Sequence, residues 1–233
     1  MLHLFGGTAP FTSANIIILL RIPLELLLLS LPLQGRSHLR HQRKNSDMIQ
    51  SDEERKWKTL DSTRLFDRPW LTVRRDKVQL PGGQINDEFY VLEYPDWVNV
   101  IAITEEGLFV MEKQYRHGIG QVSYEICAGV IEEGESPLDA AKRELLEETG
   151  YGEGEWEESM VICGNASTTN NFTHSFIAKG VKKVSTQHLD RTEDIEPVLM
   201  NVEQVKELLY SDSVKQALMA APLWKFFAKE GLL

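Results

Sequence analysis

The chain has 233 residues, 42% of them hydrophobic and 26% charged, enough for one sizeable globular domain with length left over. Its formal charge of −10 is unevenly placed: residues 1–47 carry five basic and two acidic side chains, leaving 20 of the 25 basic and 33 of the 35 acidic residues to the rest. So acidic a body excludes binding along a nucleic-acid backbone, while two cysteines, Cys127 and Cys163, exclude a disulfide framework and suit a reducing, cytoplasmic setting.

Residues 1–47 form an extension of different character. Ile16 to Leu33 is apolar, but Arg21, Pro23 and Glu25 interrupt it, and a spanning helix wants about 20 mostly apolar residues. As a signal peptide it lacks a basic segment before it and a small-x-small cleavage site after it. Two readings stand. It is a signal-anchor, the one route to a membrane partner, with the basic cluster Arg36 to Lys44 on the cytoplasmic side; or translation starts at Met48 and the segment is not part of the working protein.

From Trp57 the chain reads as β structure. Trp70 to Leu80 and Glu88 to Tyr94 make a hairpin about Pro81-Gly82-Gly83, and residues 48–97 are expected to form a small β subdomain. Val98 to Thr104 pairs with Leu108 to Gln114 across Glu105-Glu106-Gly107, and Ser123 to Val130 follows a short loop. A helix starts at Ser136 as N-cap, with Pro137 at its first position, and stops at Gly150. Met160 to Cys163, Ser175 to Ala178 and Glu196 to Met200 are further strands. Asn201 and Gln204 cap a helix, Asp212 caps a last one, and Pro222 breaks or restarts it. Long runs of strands with one central and a few terminal helices give an α+β sandwich, with a second domain over 98–233. Trp57, Trp70 and Trp224 read as core aromatics.

The chemistry concentrates between Gly129 and Tyr151. On a helix of about 3.6 residues per turn, Glu144, Glu147 and Glu148 share an arc about 100° wide, beside a stripe of Leu138, Ala141 and Leu145 that packs the helix while the arc faces outward. Carboxylates so crowded repel unless a cation lies among them, and a hard divalent metal, Mg²⁺ or alternatively Mn²⁺, explains them best. Such a metal keeps positions for water and phosphate oxygens, which points to phosphate chemistry. Arg143 is spaced to hold Glu147, and Glu135 in the preceding loop can fold back toward the same ions.

The full spacing is more specific than the acids alone. Gly129, five residues, Glu135, seven residues, Arg143-Glu144-Leu145, Glu147-Glu148, then Gly150-Tyr151 resembles the signature of the Nudix hydrolases, with Tyr151 where an aliphatic residue is more usual. Seven such positions coincide by chance on the order of once in 10⁸ starting points, taking each at average residue usage. Around it, Gln114-Tyr115-Arg116 and Glu125-Ile126-Cys127-Ala128 are similar to the segment leading into the box in ADP-ribose pyrophosphatases and related nucleoside-diphosphate-sugar hydrolases.

That resemblance implies a Nudix-type α/β/α sandwich with a mixed sheet, an N-terminal β subdomain that crosses to a partner in a homodimer, and hydrolysis of a nucleotide sugar. ADP-ribose, cut to AMP and ribose 5-phosphate, leads; another sugar nucleotide, or a regulator that binds one without cutting, is the alternative. It implies metal ligands at the Ala128 carbonyl, Glu144, Glu147, Glu148 and Glu193, support from Arg143 and Glu135, and substrate contacts from Arg116 and Gln114. Apart from the resemblance, Trp97 with Tyr94 is a candidate to stack an adenine ring, set against the favoured reading of an aromatic beside a strand as core. Arg116 has an equal reading as a strand-end arginine paired with Glu125. Arg191 stands in a slot often acidic in these enzymes, which leaves the proton acceptor open among Glu193, Glu147 and Asp190; Ala166 stands near where ADP-ribose enzymes usually carry a proline.

Overall fold

The computed structural model describes residues 51–233; the apolar segment, the basic cluster and Met48 lie outside the described residues. No helix among the described residues is long and apolar enough to cross a membrane. Three strands, β1 (Lys58–Arg68), β2 (Leu71–Gln79) and β3 (Ile85–Glu93), form a small antiparallel sheet in the order β1-β2-β3. The expected hairpin is β2 and β3, turning at Gly83 in the left-handed region. Strand β1 is absent from the sequence reading because KTLDSTRLFDR has no alternation of buried and solvated positions; all of it is exposed.

The second sheet has seven strands and is mixed. Strands β4 (Trp97–Thr104), β5 (Phe109–Arg116), β6 (Gln121–Val130), β7 (Tyr151–Gly152), β8 (Glu155–Ile162), β9 (Thr173–Lys183) and β10 (Ile195–Met200) run in the order β10-β5-β6-β4-β9-β7, with β8 added against β9. Only β4 and β9 pair in parallel. The expected partnership of β4 with β5 shrinks to two residue pairs, because β6 inserts between them along most of their length.

Helices cover both faces. Helix α1 (Pro137–Thr149) packs Ala140, Ala141 and Leu145 on Val98, Val100, Ala102, Val110 and Cys127; α2 (Val202–Tyr210) and α3 (Ala217–Lys229) cover Ile101, Phe109, Met111, Ile126 and Ile177 on the other. Alternation along β4, Val98 and Val100 one way and Ile101 the other, is what lets one strand serve both cores.

Two expectations at the C-terminus are corrected. Asp212 does not cap α3; it follows α2 at φ 53, and Gln216 precedes α3 without a side-chain cap. Pro222 neither breaks nor restarts the helix but lies within it. A proline has no N–H to give the carbonyl four residues back, here Leu218, and the buried Asn99 amide donates to that oxygen instead at 2.8 Å.

Helix α1 is bounded as its sequence requires: Ser136 accepts the Asp139 N–H, and Gly150 closes it in the left-handed region at φ 70. The Gly150 carbonyl accepts the Val184 and Ser185 N–H groups, both at 3.0 Å, and a Cβ on Gly150 would strike the Ser185 carbonyl. Gly150→Ala is therefore expected to lower stability by at least about 1–2 kcal/mol, the cost of a side chain in the left-handed region. Urea unfolding with an unchanged m-value would measure it, and an unchanged midpoint would refute it.

Candidate active site

The site is built where β6 hands the chain through a short loop to α1. Gly129 is where the Glu144 carboxylate rests against β6: a Cβ there would fall on that carboxylate and push it from its present place. Ser136 and Pro137 then start α1 at a phase that turns Glu144 and Glu148 toward β6.

The acidic arc does not face outward as a whole. Glu148 is 5% exposed, and one of its carboxylate oxygens accepts the Ala128 N–H at 3.1 Å. Burial, opposed by a contact with the Cys127 thiol and reinforced by the charges of Glu144 and Glu193, pushes its pKa up to about 7. Glu144 is also largely buried, and desolvation raises its pKa. Only Glu147 keeps a half-solvated carboxylate.

Arg143 ties these groups together. Its Nε and one terminal nitrogen donate to the two oxygens of Glu135 at 3.0 and 2.9 Å, the other nitrogen reaches Glu144 at 2.9 Å and Glu147 at 3.1 Å, and the Val130 carbonyl takes a further bond at 2.9 Å. Such a planar fork fixes several acceptors at once, and no lysine reproduces it. Glu135 holds the loop through this fork and by accepting the Glu132 N–H.

Arg116 is paired with Glu125, one of its two readings. A two-pronged bond to the buried Glu125, 2.9 and 2.6 Å, holds it, while it lines a cavity of about 230 Å³ together with Trp97, Asn99, Ala128, Gly129 and the start of α3. Trp97 also lines a second cavity of about 370 Å³, where Trp70 and Tyr94 join it. Trp70 is not a core residue: at 85% exposed it stands at the β1–β2 turn, and Trp57 is also exposed, edge-on to Phe89. Gln114 sits half-buried on β5 between Ile195 and Ser123 and lines neither of these cavities.

Glu193 lies in the loop before β10, where its carboxylate accepts the Asp190 N–H at 2.8 Å. Its charge is felt at both Glu144 and Glu148, so the loop stands beside the arc. Three residues of this region are not among the site residues expected from the sequence. Glu112 on β5 and Cys127 on β6 bring ligand atoms within 4.8 Å of each other and of Glu148, all three buried, and burial raises the Glu112 carboxyl and the Cys127 thiol well above their usual pKa values. An acid inside the apolar run Val110-Met111-Glu112 was the available signal. Gln187 has none in the sequence: its amide donates to the Glu148 and Ile195 carbonyls, fastening the end of α1 to β10.

A helix-borne carboxylate set with one member buried against a strand and an arginine fork behind it supplies hard oxygen donors suited to a divalent cation. Sequence comparison agrees: the NUDIX domain profile matches residues 93–221, more than half of the chain.

The chain belongs to the NUDIX family.

Residues 57–92 match a second profile, the nucleoside diphosphate sugar hydrolase N-terminal domain. Among similar proteins, the methanol dehydrogenase activator of Bacillus methanolicus is 32% identical over 153 residues, 65% of this chain and 82% of that one. The ADP-ribose pyrophosphatase of Bacillus subtilis (strain 168) is 29% identical over 176 residues, 75% and 95% of the two chains. A crystal structure of an ADP compounds hydrolase superposes with a TM-score of 0.63 at 19% identity, covering 76% of this chain and 97% of its own, and shares the fold. In this NUDIX domain Glu144, Glu148 and the Ala128 backbone converge between α1 and β6, with Glu147 at the rim.

The raised pKa of Glu148 has a definite sign. Between about pH 4.5 and 7 the folded chain holds a proton that the unfolded chain has released, so metal-free stability falls as pH rises through that window. Glu148→Gln is expected to flatten the fall, measured as urea midpoints at about pH 5 and about pH 8 in chelator; a variant with the same slope as the parent would contradict the assignment.

Proposed function

We propose that this NUDIX protein is a Mg²⁺-dependent pyrophosphohydrolase of a nucleoside diphosphate joined to a sugar, with ADP-ribose, giving AMP and ribose 5-phosphate, as leading substrate. The observation that carries this reading is the burial of Glu148 against the Ala128 N–H with Glu144 beside it, since two carboxylates held out of water in mutual repulsion are stabilised when a cation binds them. Glu144, Glu147, Glu148, the Ala128 carbonyl and Glu193 would hold the metal, with Mn²⁺ an alternative to Mg²⁺. When bound, it neutralises diphosphate charge and stabilises the charge that develops in attack.

The chain's own residues do the rest. Arg143, clamped on Glu135, holds Glu144 and Glu147 in one arrangement, and Arg116, oriented by Glu125, directs its remaining donors at substrate oxygens. Water adds to one phosphorus as the bridging P–O bond breaks, and the proton it loses passes to a carboxylate, with Glu193, Glu147 and Asp190 the candidates. Trp97 and Trp70 offer aromatic faces for a base in the larger cavity, where stacking contributes about 1–3 kcal/mol.

A homodimer belongs to the same reading. The three-stranded sheet exposes Leu60, Leu65, Phe66, Leu71, Ile85 and Tyr90, an apolar surface that a second copy of this sheet would cover. Light scattering should give twice the monomer mass, and Leu65→Asp with Phe66→Asp should return it to one.

The catalytic test is product formation. AMP should appear only with divalent metal, and Glu148→Gln should lower kcat by about 10²-fold or more while changing substrate affinity little. Turnover by Glu148→Gln equal to that of the parent would favour a regulator that binds the nucleotide sugar uncut.

A further inference from the structure

Residues 184–194 join β9 to β10 outside any helix or strand, yet the first half of this connection is not free chain. The Val184 and Ser185 N–H groups go to the Gly150 carbonyl, and the His188 N–H donates to the Glu147 carbonyl at 2.8 Å. The Lys183 ammonium takes the Thr149 carbonyl, and the Gln187 amide takes that of Glu148 at 2.7 Å. The last carbonyls of a helix have no partner within it, and here one stretch of chain supplies a donor to each from Glu147 to Gly150.

Gln187 differs from the other donors in having a second acceptor. Its Nε2 also donates to the Ile195 carbonyl at 3.0 Å, at the far end of the loop. An amide nitrogen carries two hydrogens, so this one joins the chain at residue 187, the start of β10 and the turn of α1 that bears Glu147 and Glu148. Residues 188–194 are thereby closed at the neck.

Within the loop the Glu193 N–H donates to the Asp190 carbonyl at 2.9 Å, and the Asp190 N–H donates to the Glu193 carboxylate at 2.8 Å. A carboxylate bonded to its own loop has little freedom of its own, so its position follows that of the neck. Residues 190–194 are all exposed, and no burial holds them in its stead. The charge of Glu193 nevertheless reaches Glu144 and Glu148.

We infer that Gln187 is a positioning residue: its side-chain amide closes the neck of the 188–194 loop onto the last turn of α1 and so holds the Glu193 carboxylate within reach of the cation that Glu144 and Glu148 take. This rests on the metal-dependent pyrophosphohydrolase reading. Gln187 touches neither metal nor substrate. It acts through Glu193, and that dependence separates it from a residue that merely stabilises the fold.

The test is a double-mutant cycle on Mn²⁺ affinity, read from the electron paramagnetic resonance signal of the free ion. Gln187→Met, which keeps the length and loses both bonds, is expected to weaken Mn²⁺ binding about tenfold, the scale on which residues supporting metal ligands act. In the Glu193→Gln background the same substitution is expected to change affinity by less than about twofold, because the loop then presents no carboxylate to misplace. Equal losses in the two backgrounds would overturn the inference and leave Gln187 as a brace for the helix end. Gln187→Asn, which keeps the amide but is too short to span both carbonyls, is measured beside it; a loss that depends on Glu193 supports the assignment, and one that does not counts against it. Parent protein that binds no Mn²⁺ defeats the proposed reaction as well, whereas Mn²⁺ bound equally by parent and Gln187→Met defeats this inference alone.

Discussion

The site depends on keeping carboxylates close together against their repulsion. Three arrangements make this possible: the Arg143 fork balances Glu144 and Glu147, the Ala128 N–H receives Glu148, and burial holds Glu148 toward its neutral form in the absence of a cation. At the same junction Gly129 gives the Glu144 carboxylate its place against the β6 backbone. The elements around the junction can be understood as what keeps it rigid: Gln187 and Lys183 fasten the last carbonyls of α1, and Glu125 fixes Arg116 from the strand itself.

The mixed sheet gives this junction its position. Because β4 lies between β6 and β9, its alternate residues serve two cores, and the edge of the sheet beyond them presents Trp97, Ala128 and Asn99 to one cavity. The small sheet adds Trp70 from its β1–β2 turn to a second cavity that Trp97 and Val130 share with the first.

Features set by local chemistry were legible in the sequence. The caps of α1, the capping box at Asn201 and Gln204, the β2–β3 hairpin and the convergence of Glu135, Arg143, Glu144 and Glu147 follow from spacing and short-range bonding. Features set by contacts distant in sequence were not. The inward turn of Glu148 depends on a strand twenty residues earlier, and the tolerance of Pro222 within α3 depends on an asparagine 119 residues from the carbonyl it serves. Strand β1 went unseen because its pairing with β2 leaves both faces exposed, so there is no periodicity to read. Trp70 reads as core because most aromatics beside a strand are, whereas its place at the β1–β2 turn leaves it exposed.

The bond between Asn99 and the Leu218 carbonyl joins the middle of the chain to its last helix. During synthesis the acidic helix and its strand leave the ribosome well before α3 is made, so the nascent chain has its carboxylate cluster while one wall of the neighbouring cavity is missing. The wall closes only when α3 has followed. A chain cut before α3 would still carry every acidic ligand candidate but lack the surface against which Asn99 is oriented.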